Sequence, residues 1–339
     1  MLSRSSASAL RYDGTVRSAA LVLVLWSGAA FAQAPLVAGC PADAPVFTIP
    51  VQVLTPEFNV WEGLSVASFT LSGDGVALAL CGMIHVREAF SVGILLDTST
   101  SMRANAFHDP IGQARAFVNR FLDVSGPQDE FFLEYVNSTP KVQCPFGSAL
   151  PLVRAGLDVT PKGKTALIDA LYLALNQMRN ARNASRALLV LSDGFENVSV
   201  YNDKELSRLV AESPVPIFPL LPALPYPIHG LGPKEIAARD DLMRLAAASG
   251  GFYSVIPRDK TSPEAAEQLA TAIHSPYRLY FTHMPPSSGP VLRLRVGVQG
   301  VHPQPLLAYR FVTLVRQIPP EIIARHPLVS GNTASGVIH

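Results

Sequence analysis

The segment Phe90-Ser-Val-Gly-Ile-Leu-Leu-Asp97-Thr-Ser99-Thr-Ser101-Met102 limits the folds open to this chain more than any other. A Val/Ile/Leu-rich run that stops abruptly at a carboxylate suits a parallel strand covered on both faces. Ligand sites in open α/β sheets lie just beyond the carboxyl ends of such strands. Asp97, Ser99 and Ser101 then leave the sheet as a loop of oxygen donors. One carboxylate and two neutral hydroxyls leave a Mg²⁺ ion underneutralised. Because Mg²⁺ demands six oxygens, waters and an acidic group from outside can complete its shell.

Asp-x-Ser-x-Ser alone is also what an ordinary helix N-cap loop looks like. Two further segments give it context. Gly163-Lys-Thr165-Ala-Leu-Ile-Asp-Ala-Leu opens an amphipathic helix, expected over 165–180 with the threonine in its first turn. Ala187-Leu-Leu-Val-Leu-Ser-Asp193-Gly194 is a second buried strand that ends in an aspartate. The set resembles the metal-ion-dependent adhesion site of von Willebrand factor type A domains. That resemblance implies a metal touched by Ser99, Ser101 and Thr165, with Asp97 and Asp193 often acting through water. It also implies Mg²⁺ (or Mn²⁺ or Ca²⁺) as the ion and a protein partner presenting an exposed Asp or Glu.

Around these segments the chain reads as β, then alternating β and α, then β. Short strands are expected at 46–53, 67–71 and 76–81, with the turn signal Ser72-Gly-Asp-Gly75 between the last two. From Phe90 onward, helices at 111–124, 165–180, 203–211, 234–249 and 263–273 alternate with strands at 90–97, 131–136, 187–192, 215–220 and 252–255. This alternation implies a doubly wound, mostly parallel sheet. Strands return at 277–282, 291–298 and 306–312. Each β flank has about 40 residues, too few to bury a core alone. The two are therefore expected to form one small β-sandwich, with the α/β domain inserted between them and its metal site facing away. The expected divisions are a signal peptide at 1–32, an N-terminal β segment at 45–88, the von Willebrand factor type A domain at 89–275, a C-terminal β segment at 276–316 and a flexible tail at 317–339.

The arrangement further resembles a group of exported bacterial proteins abundant in Acidobacteria. The matching residues are Gly63-Leu-Ser-Val-Ala-Ser-Phe69-Thr-Leu-Ser-Gly-Asp74-Gly75, Tyr277-Arg-Leu279-Tyr280 and Arg293-Leu-Arg295-Val, with Tyr280 one place early. Export is also read from Arg4, Arg11 and Arg17 ahead of an apolar core ending at Ala30-Phe-Ala32, with cleavage after Ala32 and release to the periplasm or beyond. Val37-Ala-Gly-Cys40 resembles a lipobox in an atypical position, so a membrane anchor enters only if Cys40 is lipidated. Three cysteines leave one unpaired. A Cys81–Cys144 bridge is open, beside the plainer reading of two small buried hydrophobes.

A net charge of +1 with no basic cluster in sequence offers no footprint for nucleic acid or an anionic membrane. The proline run from Pro214 to Pro227 reads as strand and loop punctuation rather than a recognition segment. His108-Asp109 reads as a solvated loop leading into a helix started by Pro110. Glu196 and Asn197 fit either hydrogen bonds that orient the metal ligands or a plain surface loop. The competing enzyme class is a Mg²⁺-dependent phosphatase of the haloacid dehalogenase type, whose second aspartate acts in proton transfer. Position 99 is serine, whose pKa lies far from that task. No catalytic residues are assigned, and a structural envelope protein with a vestigial site is the remaining alternative.

Overall fold

The computed structural model describes residues 39–41, 46–55, 59–213, 215–224, 232–258, 262–282, 294–302 and 305–309. The chain first forms β1 (Phe47–Leu54), β2 (Phe69–Gly73), β3 (Val76–Leu78) and β4 (Leu80–His85). It then alternates through β5 (Phe90–Asp97), α1 (Pro110–Asp123), β6 (Glu130–Val136), β7 (Lys141–Cys144), α2 (Leu150–Gly156) and α3 (Leu167–Gln177). The alternation continues with β8 (Ser185–Leu191), α4 (Asp203–Glu212), β9 (Ile217–Pro222), α5 (Pro233–Ser249), β10 (Ser254–Ile256) and α6 (Ser262–His274). Strands β11 (Tyr277–Phe281), β12 (Leu294–Val298) and β13 (Leu306–Tyr309) follow.

All residues of β5 are buried, as its apolar run requires. It pairs in parallel with β6 on one side and β8 on the other, within the order β10-β9-β8-β5-β6-β7. Only β7, at one edge, runs antiparallel. One face packs Val92, Ile94 and Leu96 against Phe117, Phe121, Leu269 and Ile273 of α1 and α6. The other packs Leu95, Leu188 and Val190 against α3, α4 and α5. Gly93 interrupts the branched run for a packing reason. A Cβ there would meet the side chains of Phe132 and Leu188 at 2.4 Å, and those side chains fill the space instead. The chain leaves β5 toward β6 but returns to build β8 on the opposite side, so the loops after β5 and β8 diverge and leave a crevice at the end of the sheet.

The flanks pair with each other. Strands β13-β1-β11-β4 form one antiparallel sheet and β12-β2-β3 another, so each sheet mixes strands from before and after the α/β layer. Alternate residues Ile49, Val51 and Val53, Phe69 and Leu71, Leu279 and Phe281, and Leu294 and Val296 form one shared core. The Asp74-Gly75 turn joins β2 to β3, with φ of 48° and 84° at its two residues. That is the geometry in which a two-residue hairpin needs Asp or Asn before Gly.

The two crossings between layers are tied together, since the Glu88 N–H donates to the His274 carbonyl at 2.8 Å. Beside them Arg278 pairs with the Glu88 carboxylate and donates to Ser185 Oγ at 2.8 Å. Buried Asp129 accepts from Phe90 N at 2.8 Å and contacts His274 Nε2 at 2.8 Å. This junction holds the N-terminal end of β5. At about 3.3 Å per residue, its eight residues put Asp97 roughly 25 Å away, at the opposite end of the sheet.

Several expectations need correction. Cys81 is neither a core hydrophobe nor a partner of Cys144; it forms a disulfide with Cys40, and Cys144 is the buried free thiol. Cys40 Sγ is therefore engaged in a bond that lipidation would require it to give up. The strand expected over 76–81 breaks at Ala79, where the chain passes from one small sheet to the other, and a turn of 3-10 helix at Val66–Ser68 precedes β2. Strand β9 carries part of the proline run and lies between β8 and β10. Pro219 is accommodated because β10 begins pairing only at Leu220. Helix α2 forms at Leu150–Gly156, where the sequence pattern marks no helix. The proposed signal peptide and C-terminal tail lie outside the described residues.

Candidate metal centre

Asp97 ends β5, fully buried, and both its oxygens are held. Oδ1 accepts the Ser99 N–H at 2.8 Å, and Oδ2 accepts the Ser192 hydroxyl at 2.6 Å. The first contact folds the loop back over the strand end, so that Ser99 and Ser101 bring their hydroxyls within 3.0 Å of each other. The Ser101 hydroxyl also favours the charged form of the Asp193 carboxylate, against the effect of burial. Asp193 follows β8, the immediate neighbour of β5. The two aspartates thus converge across the crevice where the sheet reverses its winding.

Thr165 is buried, but it precedes α3 rather than lying in its first turn, because the helix begins at Leu167. Its position comes from the loops on either side. Thr100 donates to the Gly163 carbonyl through both its N–H, at 3.0 Å, and its hydroxyl, at 2.9 Å. The Thr165 carbonyl accepts from Asn197 N at 2.9 Å and Val198 N at 3.3 Å. The loop carrying Thr165 is thus stitched to the loops that carry Ser99 and Asp193.

Two residues beyond the expected five organise this centre. Ser192 orients Asp97 from the neighbouring strand and also accepts the Gly194 N–H at 3.0 Å. Its signal in the sequence was only its place before Asp193. Glu196 does more than line a surface loop. Helix α3 has Ala166 at its N-cap and no side-chain cap of its own, and Glu196 Oε2 accepts from Ile168 N at 3.0 Å in its place. The same carboxylate accepts from Val198 N, Ser199 N and Ser199 Oγ. Asp109 caps α1 through Gly112 N at 2.9 Å, and His108 Nε2 contacts the Ala223 carbonyl at 2.8 Å.

Burial, and then the repulsion of Asp193, push the Asp97 carboxyl up to about 7. Burial raises Asp193 as well, against a weaker attraction from Arg239. Two carboxylates held this way favour a cation between them. Among the described residues no group of three or more His, Cys, Asp or Glu gathers to hold a metal. The donors here are therefore mixed hydroxyl and carboxylate oxygens, a set that fits a hard divalent cation.

Residues 92–196 match the family model of the von Willebrand factor type A domain. This stretch is a von Willebrand factor type A domain. The match runs from the middle of β5 to Glu196 and so spans all five positions of the centre. Among solved structures, the chain is similar to the conserved hypothetical protein BatB from Bacteroides thetaiotaomicron. The identity is 18%, with 55% of this chain and 98% of that one covered and a TM-score of 0.44. A von Willebrand factor type A protein from Catenulispora acidiphila matches at 12% identity over 80% of this chain and 75% of that one, with a TM-score of 0.45. Proximal thread matrix protein 1 from the mussel byssus, in a form with a zinc-occupied MIDAS motif, matches at 18% identity over 60% and 50%, with a TM-score of 0.44. No curated protein matches the chain.

Proposed function

We propose that the chain is an exported protein-binding module that captures an acidic residue of a partner through a Mg²⁺ ion held by Ser99, Ser101 and Thr165, with Asp97 and Asp193 behind them. The observation that carries this reading is the convergence of buried Asp97, half-buried Asp193 and the Ser99 and Ser101 hydroxyls at the end of adjacent parallel strands. Bound there, the cation would supply an electrophilic centre with room for an outside carboxylate, because the hydroxyl ligands do not neutralise it. The chain's own part is to hold the donors in place, and the bonds from Ser192, Gly163 and Glu196 do so. A disulfide between Cys40 and Cys81 supports export, since such bonds persist in oxidising compartments.

Titration calorimetry with Mg²⁺ and Mn²⁺ on the wild type and on Asp97→Ala tests the site. One ion bound by the wild type and none by the variant is expected. Equal binding by both proteins would reject the assignment. Capture of envelope proteins by the immobilised chain, with and without chelator, then tests the adhesion reading.

A further inference from the structure

We infer that the partner's acidic residue lies in an acidic, apolar-flanked protein segment, read by a basic rim of Arg103, Lys162 and Lys164 and by two apolar contacts, Phe107 and Val200. This rests on the metal-dependent reading above. Arg103 lies 59 residues before Lys162 in sequence, so the three cations show no cluster there. The fold brings them together. Arg103 Nη2 donates to the Pro161 carbonyl at 3.2 Å, Lys162 N to the Thr98 carbonyl at 2.7 Å, and Thr100 to Gly163. All three side chains belong to exposed residues, and none forms an ion pair among the described residues. The other acids of these loops are already engaged: Asp109 and Glu196 accept backbone N–H groups at the N-termini of α1 and α3, where the helix dipole balances them, and Asp158 pairs with Arg115 at 3.2 Å. The loops that present the metal ligands therefore offer outward positive charge, complementary to carboxylates beyond the one that meets the ion.

Phe107 and Val200 are the most exposed large hydrophobic residues of the described chain, at 81% and 88%. Each follows a loop that carries a metal ligand, on opposite faces of the sheet. Their backbones are pinned. Phe107 N donates to Asn105 Oδ1 at 2.9 Å and its carbonyl accepts from Arg258 Nη2 at 3.0 Å. Val200 N donates to both oxygens of Asp169 at 3.0 Å. An exposed apolar side chain on a fixed backbone loses little entropy when covered, which is how a contact residue is preorganised. The segment they fit is extended, long enough to reach from α1's face to α3's across the ion.

The test measures anisotropy of a fluorescein-labelled random copolymer of glutamate and tyrosine in Mg²⁺ and in chelator. The proteins are the wild type, a Lys162→Glu/Lys164→Glu variant and Phe107→Ser, with Mg²⁺ affinity measured separately by calorimetry. At least about tenfold weaker binding is expected for the charge reversal, and severalfold weaker for Phe107→Ser, with Mg²⁺ affinity retained. Unchanged copolymer binding by the reversed variant overturns the rim while leaving the metal reading intact. Binding that is indifferent to chelator but lost on charge reversal supports the rim and overturns the metal reading. Heparin competing as well as the copolymer would mark a general polyanion site and overturn the assignment to a protein segment.

Discussion

Glu134 should make this protein more stable when it is replaced by a residue that cannot ionise, and by an amount that grows with pH. It lies on β6 between Leu95 of β5 and Val142 of β7, in a fully buried position. Neither of its carboxylate oxygens has a hydrogen-bond partner. Burial alone pushes its carboxyl from 4.5 up to about 9. The folded state therefore keeps a proton that the unfolded chain gives up above pH 4.5. Unfolding releases that proton throughout the window from 4.5 to 9, so stability is fully present below 4.5 and falls as pH rises through the window. The limiting slope is about 1.4 kcal/mol per pH unit, giving a loss of about 3 kcal/mol by pH 7 and about 6 kcal/mol by pH 9. A Glu134→Gln variant keeps the shape and removes the ionisation. Urea unfolding of both proteins in chelator, at pH 5, 7 and 9, should show a stability difference that widens in favour of the variant by those amounts. A difference that stays constant from pH 5 to 9 would show that Glu134 is not held neutral by burial and would refute the reasoning.

Ser192→Ala removes the hydroxyl that holds Asp97 Oδ2. About a tenfold loss of Mg²⁺ affinity by calorimetry, with about 1 kcal/mol of stability lost in urea, is the expected result. Replacing Cys40 and Cys81 by serine opens a loop of 41 residues' separation and should cost about 4 kcal/mol on the chain-entropy account; thermal unfolding of the wild type in reductant should reproduce that loss. Truncation from Ser275 onward strips β1 of both its neighbours, β11 and β13, and β2 of β12. Limited proteolysis should then cut within 46–86, and unchanged resistance there would mean that the flanks do not depend on each other.

The features legible in the sequence are those encoded locally. The apolar run of β5, the aspartate at its end, the Asp74-Gly75 hairpin and the proline-started α1 each carry their signal within a few residues. The alternation of strand and helix was enough to imply the parallel sheet. What stayed hidden depends on partners distant in the chain. The apolar periodicity begins at Thr165 and so places it in the first turn of a helix. That helix lacks a local cap, however, and starts two residues later, where Glu196 supplies one from 28 residues away. Similarly, Cys81 alternates like a core residue, and only the position of Cys40 beside β4 reveals the disulfide.

The same distinction explains why the charge around the centre was invisible. Net charge and local clustering do not register Arg103, Lys162 and Lys164 as a group, because α1, β6, β7 and α2 separate Arg103 from the two lysines by more than any short window. Adjacency is created by the sheet order. The chain leaves β5 toward β6 and returns to β8 on the other side, so the turn into α3 has to cross back over the end of β5. Thr100 and Gly163 then close the gap with two hydrogen bonds. The crossing that lays Thr165 beside Ser99 and Ser101 also lays two lysines beside an arginine. A chain that builds this centre by this route cannot place its threonine without deciding which charges surround the ion. On the proposed reading, the loops that hold the metal ligands would then also set the preference for an acidic partner.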